Sequence, residues 1–326
     1  MLLQDHLWAP DGVIIIDDRI KRLITCIAVE RLKCIGQNGA ANYVPDKDTN
    51  KVSTITRYEH SVGCMLLTLQ IGGTNEEAIV ALLHDIMHTA FSHTIDFLAN
   101  DPSVSYHEKC KKQLLKKFQS IFIKILGLNW RSFFDESRYV LIKKNNPFAI
   151  DICDYVARDG MFNGLITVEE VRHQKKYLLI DPTTRQLCCA NYEARQWWIN
   201  TSKMVNERIY NSPWNLYINH RLAEEIRGLI KEEKCTFDEI LNPDDDTEKK
   251  IVNSTSVNSD KIIRKEILES TKNKNFVLMK PGSYDGSSCT KIGTFPIRKR
   301  FVMPPLLESR MDELCALEIT NMDLVY

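Results

Sequence analysis

Five of the eight histidines in this 326-residue chain lie between residues 60 and 107, and three of them, His84, His88 and His93, interrupt its most apolar run, EEAIVALLHDIMHTAFSH (76–93). That placement limits the fold more than any other feature. A segment so apolar has to be buried, and burying an uncompensated polar group costs roughly 1–3 kcal/mol. The chain must therefore bring these imidazoles to partners inside its core. The run has helical spacing, with Thr74 or Asn75 placed as N-cap and Glu76 and Glu77 complementing the helix dipole. A single helix over 76–93 is the expectation, with His84 and His88 projecting from one face. Asp85 beside His84, and His60 from the preceding apolar segment, add to a mixed nitrogen and oxygen donor set. Such a set suits Fe, Mn, Ni, Zn or Co, while Ca or Mg alone would favour oxygen ligands.

The rest of the chain reads as a frame of helices around that cluster. Residues 12–36 open with a short apolar run and continue at helical spacing, with Ile20, Leu23, Ile24, Ile27, Leu32 and Ile35 on one face. A loop rich in Asn, Asp and Gly follows from Gln37 to about Asn50. SVGCMLLTLQ (61–70) suits a buried helix stopped by Gly72-Gly73, 108–126 an amphipathic basic helix, and 147–160 a helix entered through Pro147. Two β-favouring runs within 166–190, separated by Asp-Pro-Thr-Thr, read as a hairpin inserted among helices. Helical spacing returns over 192–234, 242–260 is polar and loop-like, and 291–305 reads as a strand with a Pro-rich exit. Lys+Arg and Asp+Glu both number 43, so net charge is zero, which disfavours extended nucleic-acid binding. The ten cysteines include no CxxC pair, and neither a signal peptide nor a membrane span is visible. A reducing compartment, cytoplasmic or nuclear, with no membrane partner, is the expectation.

TRYEHSVG (56–63), LLHDIMHTAFSH (82–93) and AIDICDYVARD (149–159), in that order, resemble the H…HD…D pattern of the HD-domain phosphohydrolases, in particular the branch of deoxynucleoside triphosphate triphosphohydrolases. The likeness runs from about Asp11 to about residue 230. It implies a mostly α fold, the HD-domain helical fold, with a small β-hairpin element in the second half. It also implies a hydrolase of phosphoester or phosphoanhydride bonds that uses a divalent transition metal (Fe, Mn, Co, Ni or Zn), with Mg as a further ion. Carried over by position, the metal ligands are His60, His84, Asp85 and Asp151. The catalytic histidines are His88, His93 and His107, with Asp96 as partner carboxylate. Arg57 falls beside the metal as a phosphate clamp, Gln37 and Asn38 fall near a ribose 2′-hydroxyl, Tyr155 and Asp159 near the 3′-hydroxyl, and Tyr210 near sugar and base.

Three positions depart from that branch. Asn38 stands where a bulky Leu excludes a 2′-hydroxyl, Ile152 where a Lys contacts the triphosphate, and Ser202 where an Arg binds phosphate, although Lys203 and Arg208 are near in sequence. The first guess is a (d)NTP triphosphohydrolase acting through a metal-activated water. The alternatives are a nucleoside monophosphate or cyclic-nucleotide phosphohydrolase, or a non-catalytic nucleotide- or nucleic-acid-binding protein. The expected partner is a small nucleotide substrate. Members are commonly oligomers and a neutral surface does not oppose association, so a homo-oligomer is also expected. The domain expectation is an HD core over 1–235, a polar flexible loop or linker over 236–262, and a C-terminal α+β extension over 263–326 packed on the core. IRKRF (297–301) is read as a solvated surface.

Overall fold

Asp17 starts the helical part of the chain, its carboxylate accepting from the backbone N–H groups of Arg19 and Ile20 at the head of α1 (Asp18–Ile24). In front of it lies a hairpin that the sequence reading does not anticipate, β1 (Leu2–Asp5) antiparallel to β2 (Ala9–Ile14), with Leu2 opposite Ile14 and Leu3 opposite Val13. Pro10 and Gly12 both lie within β2 and weaken its β signal. The computed structural model describes residues 1–43, 51–98, 106–142, 148–241, 243–244 and 246–255, together with two short strands at 277–279 and 294–296. The helix expected over 12–36 is broken. Cys26 adopts an extended conformation between α1 and α2 (Ile27–Glu30), and a 3₁₀ turn (Arg31–Cys34) follows. The break turns Ile27, expected in the core, out to 61% exposure.

The central layer comprises α3 (Arg57–Gln70) and α4 (Asn75–Leu83), which pack against each other. Both begin with reciprocal capping boxes, Thr56 with Glu59 and Thr74 with Glu77, so the start of each helix is specified locally. The basic stretch expected as one helix over 108–126 is two, α5 (Tyr106–Lys117) and α6 (Gln119–Leu126), separated at Phe118. Next, α7 (Ile150–Phe162) crosses α3 so closely that a Cβ on Gly63 would stand 2.1 Å from Arg158 Nη2 and 2.2 Å from Asp154 Oδ1. Glycine at 63 is what permits the crossing.

Beyond α8 (Val168–Lys175), β3 (Leu178–Ile180) and β4 (Leu187–Cys189) form the expected antiparallel hairpin. Asp181 at its turn accepts from the N–H groups of Thr183 and Thr184. The helical stretch over 192–234 divides into α9 (Tyr192–Val205), one π turn (Asn206–Tyr210) and α10 (Pro213–Lys231). After α11 (Phe237–Leu241) comes α12 (Thr247–Asn253), a helix inside the stretch expected to be a flexible loop. Three side chains explain its order: Ile251 and Val252 join the apolar cluster built on α10, and Glu248 is buried among hydrogen-bond donors. A two-stranded parallel pair, β5 (Val277–Met279) with β6 (Thr294–Pro296), is described in the extension, while IRKRF lies outside the described residues. The molecule is thus mostly α-helical, and no described helix is long and apolar enough to cross a membrane.

Candidate metal centre and the pocket beside it

The run expected as a single helix over 76–93 unwinds where its polar residues begin. α4 ends at Leu83, and His84 Nδ1 donates to the Ala81 carbonyl at 2.7 Å, satisfying one of the carbonyls that a helix end leaves unbonded. Tight turns follow, with Ile86 N–H on the Leu83 carbonyl and His88 N–H on the Asp85 carbonyl. In an unbroken helix Asp85 would point about 100° away from His84. Unwinding lets both side chains aim at the same place.

That place is closed by two other helix starts, His60 from the first turn of α3 and Asp151 from the first turn of α7. His60 Nε2 lies 3.2 Å from His84 Nε2, 3.1 Å from Asp151 Oδ1 and 3.6 Å from Asp85 Oδ2. His84 Nε2 lies 3.4 Å from Asp85 Oδ1 and 3.7 Å from Asp151 Oδ1. Ligands about 2.1 Å from one ion are separated by about 3.0 Å along octahedral edges and about 3.4 Å along tetrahedral ones. The four side chains therefore already stand near the spacing of a single coordination shell.

The protons are placed to suit. His84 Nδ1 is held by the Ala81 carbonyl and His60 Nδ1 by Asp154 Oδ2 at 2.7 Å, so the Nε2 lone pair of each ring faces the centre. Asp154, absent from the sequence-based set, is fully buried and receives Trp8 Nε1 at 2.5 Å and Arg158 Nη2 at 2.8 Å on its other oxygen. Arg158 also donates to Asp5 at 3.0 Å. Arg158 thus pairs with both Asp154 and Asp5. Burial works against the charge on Asp154, but Arg158 and His60 bring its pKa down to about 2. Asp85 likewise sits well below the usual carboxylate range, because Arg57, His84 and His88 outweigh its burial.

Cys64, one turn beyond His60, belongs to a second donor group in which His60, Cys64 and His84 have ligand atoms within 4.8 Å of one another. Its Sγ is 3.8 Å from both His60 nitrogens, which puts it beside the ring rather than in front of Nε2. Burial pushes its thiol up to about 12. The carboxylates are nearer to Nε2 and are ionised, and they fit the centre better.

Around this centre lie the other expected residues. Arg57 is buried and bonded in three directions, Nη1 to Asp85 Oδ2 at 2.5 Å, Nε to Ser92 Oγ at 2.7 Å and Nη2 to the Gln37 carbonyl at 3.4 Å. It braces a carboxylate of the centre where a free phosphate clamp was expected. His88 Nε2 reaches Asp85 Oδ1 at 3.3 Å, its ring meets that of His93 edge to face, and His93 Nδ1 pairs with Asp96 Oδ2 at 3.0 Å. His107 is in the first turn of α5, where side chains lie outside the described residues.

A second polar cluster is built from Asn38, Asp159 and Tyr210. Asn38 Nδ2 donates to Asp159 Oδ1 at 3.1 Å and to Ser53 Oγ at 2.9 Å, the Tyr210 hydroxyl donates to Asp159 Oδ2, and the Tyr155 and Tyr210 rings meet edge to face. The π turn delivers Tyr210 to Asp159. Burial raises the Asp159 pKa against these two hydrogen bonds. Gln37 is buried beside Asn38, and among the described residues its side-chain oxygen has no hydrogen-bond partner. Ser202 is buried, while Lys203 and Arg208 face solvent.

Comparisons with known proteins show the family and the fold. The HD domain model matches residues 57–158, the span that carries all four central side chains. The Bacillus subtilis protein YdhJ is 31% identical over 232 residues, covering 70% of this chain and 69% of its own. The metal-dependent phosphohydrolase cns2 of Cordyceps militaris is 32% identical over 249 residues, covering 71% and 70%. A crystal structure of a phosphohydrolase from Bacteroides thetaiotaomicron superposes with a TM-score of 0.56 at 17% identity, over 83% of this chain and 77% of that one, a likeness of fold.

Proposed function

The chain belongs to the HD-domain family of metal-dependent phosphohydrolases, and from that premise we propose that it hydrolyses a phosphate ester or anhydride of a nucleotide, with His60, His84, Asp85 and Asp151 holding the divalent ion. The convergence of those four donors at 3.1–3.7 Å is the observation that carries the reading. An ion held there supplies a Lewis acid for a phosphoryl oxygen and a nucleophile from water near neutral pH. The chain's own residues would do the rest. His93, with Nδ1 tied to Asp96, offers Nε2 to a leaving oxygen, and His88 lies between that ring and Asp85. Asp159 offers a carboxylate to a sugar hydroxyl, and the Asn38 amide gives the sugar end of the pocket a polar wall that tolerates ribose.

One observation favours a monophosphate over a triphosphate. Among the described residues Arg57 is already bonded to Asp85, Ser202 and Ile152 carry no charge, and Lys203 and Arg208 point to solvent. A triphosphate brings about four negative charges that need fixed cations, and a monophosphate needs fewer. Protein loaded with Mn, Fe, Co or Ni would be offered ribo- and deoxynucleoside mono- and triphosphates while phosphate, pyrophosphate and triphosphate release are followed. The expected outcome is release of inorganic phosphate from a monophosphate. Triphosphate release restores the triphosphohydrolase reading, and no turnover with any of the four metals would falsify hydrolysis.

A further inference from the structure

Arg57 is anchored to two segments besides Asp85, through Ser92 Oγ and the Gln37 carbonyl. Each anchor directly follows a residue whose backbone N–H is taken by one carboxylate. Glu248 of α12 accepts from Phe91 N–H on one side and from Gly36 N–H, at 3.2 Å, on the other, and also from the Tyr43 hydroxyl. The Phe91 side needs such support. Phe91 and Ser92 have φ values of 61° and 53°, two successive non-glycine residues in the strained left-handed region. Glu248 is itself almost fully buried, at 3% exposure, and comes from a helix beyond the segment that the HD model matches.

We propose that Glu248 is a positioning residue of the metal centre, fixing the Gly36–Gln37 and Phe91–Ser92 segments so that they hold Arg57 against Asp85. The inference rests on reading His60, His84, Asp85 and Asp151 as the ligands of the ion. Asp85 is shared between Arg57 and that ion, so the angle at which its carboxylate meets the metal depends on where the guanidinium stands. Glutamine at 248 keeps the shape but replaces one acceptor oxygen with a donor facing the same three donors. Tyr43 supplies the third hydrogen bond, and because Tyr43→Phe removes only the hydroxyl and keeps the ring's edge-to-face contact with Phe91, it is the control for general loosening of α12.

The test is calorimetric titration of the metal-free full chain with Mn(II) alone, at pH 8, comparing wild type, Glu248→Gln and Tyr43→Phe. Glu248→Gln is expected to weaken Mn(II) binding about 10-fold or more, within the range of outer-shell metal partners, while Tyr43→Phe stays within about twofold on the same reasoning. Equal Mn(II) affinity in Glu248→Gln and wild type overturns the proposal, and so does an equal loss in both variants. Should Glu248→Gln not fold, Ser92→Ala decides, because it cuts the same line one step nearer to Arg57; unchanged affinity there overturns it. Mn(II) affinity is read without substrate, so failure here leaves the nucleotide assay standing, and failure of that assay leaves this result standing.

Discussion

At the scale of single residues, the centre separates groups that touch the ion from groups that aim them. His84→Ala combined with Asp85→Ala removes one nitrogen and one oxygen donor, and elemental analysis should find bound metal lost. Cys64→Ala should retain the wild-type stoichiometry, because the thiol lies beside the His60 ring; metal loss in that variant would move the ligand set to His60, Cys64 and His84. The four side chains that converge on the candidate centre were legible in the sequence because they sit in short motifs. Most residues that aim were not. Trp8 meets Asp154 across 146 positions and Glu248 meets Phe91 across 157, and no local pattern records contacts of that range. Asp154 is the exception, since it stands three residues after Asp151 on the same helix, a spacing that places both on one face.

At the scale of elements, the start of α4 at Thr74 was read from local chemistry, whereas α3 begins at Arg57, four residues before the stretch expected as a helix (61–70). The capping boxes at Thr56 and Thr74 and the hairpin over 178–189 follow from their own residues. The errors fall where a local cap or a tertiary contact overrides the apolar pattern. α4 stops because His84 caps it, against an apolar pattern that continues, and α12 forms because its inner face meets α10. The N-terminal hairpin is the element with most to lose, as its Trp8 and Asp5 complete the shell around Asp154 and Arg158. Trp8→Phe leaves a buried carboxylate oxygen one donor short, which costs about 1–3 kcal/mol. Chemical denaturation should show that loss, and Mn(II) affinity should fall several-fold because His60 loses a firmly held partner. A variant as stable as wild type with unchanged affinity would sever the hairpin from the centre.

At the scale of the whole molecule, Glu248 ties the C-terminal helices to the core at an electrostatic cost. Burial raises its pKa from 4.5 to about 7, against the hydrogen bonds from Tyr43, Phe91 and Gly36 and the charge of Arg57, the groups that face it. A carboxyl group with a raised folded pKa contributes its full stability below about pH 4.5. The contribution falls as pH rises towards 7 and is constant beyond, a change on the order of 3 kcal/mol. Melting temperatures at pH 5 and pH 8 should therefore diverge more in wild type than in Glu248→Gln. Parallel profiles would place the ionisation of Glu248 outside that window.

The hydrogen bond from Trp8 to Asp154 also sets an order in time. Trp8 is synthesised 146 residues before its partner, roughly 7–30 s at about 5–20 residues per second. Until α7 is made, His60 and the 84–85 pair lack Asp151, the fourth of the converging donors. A chain stopped before α7 would offer the cell's metal pool three of the four donors.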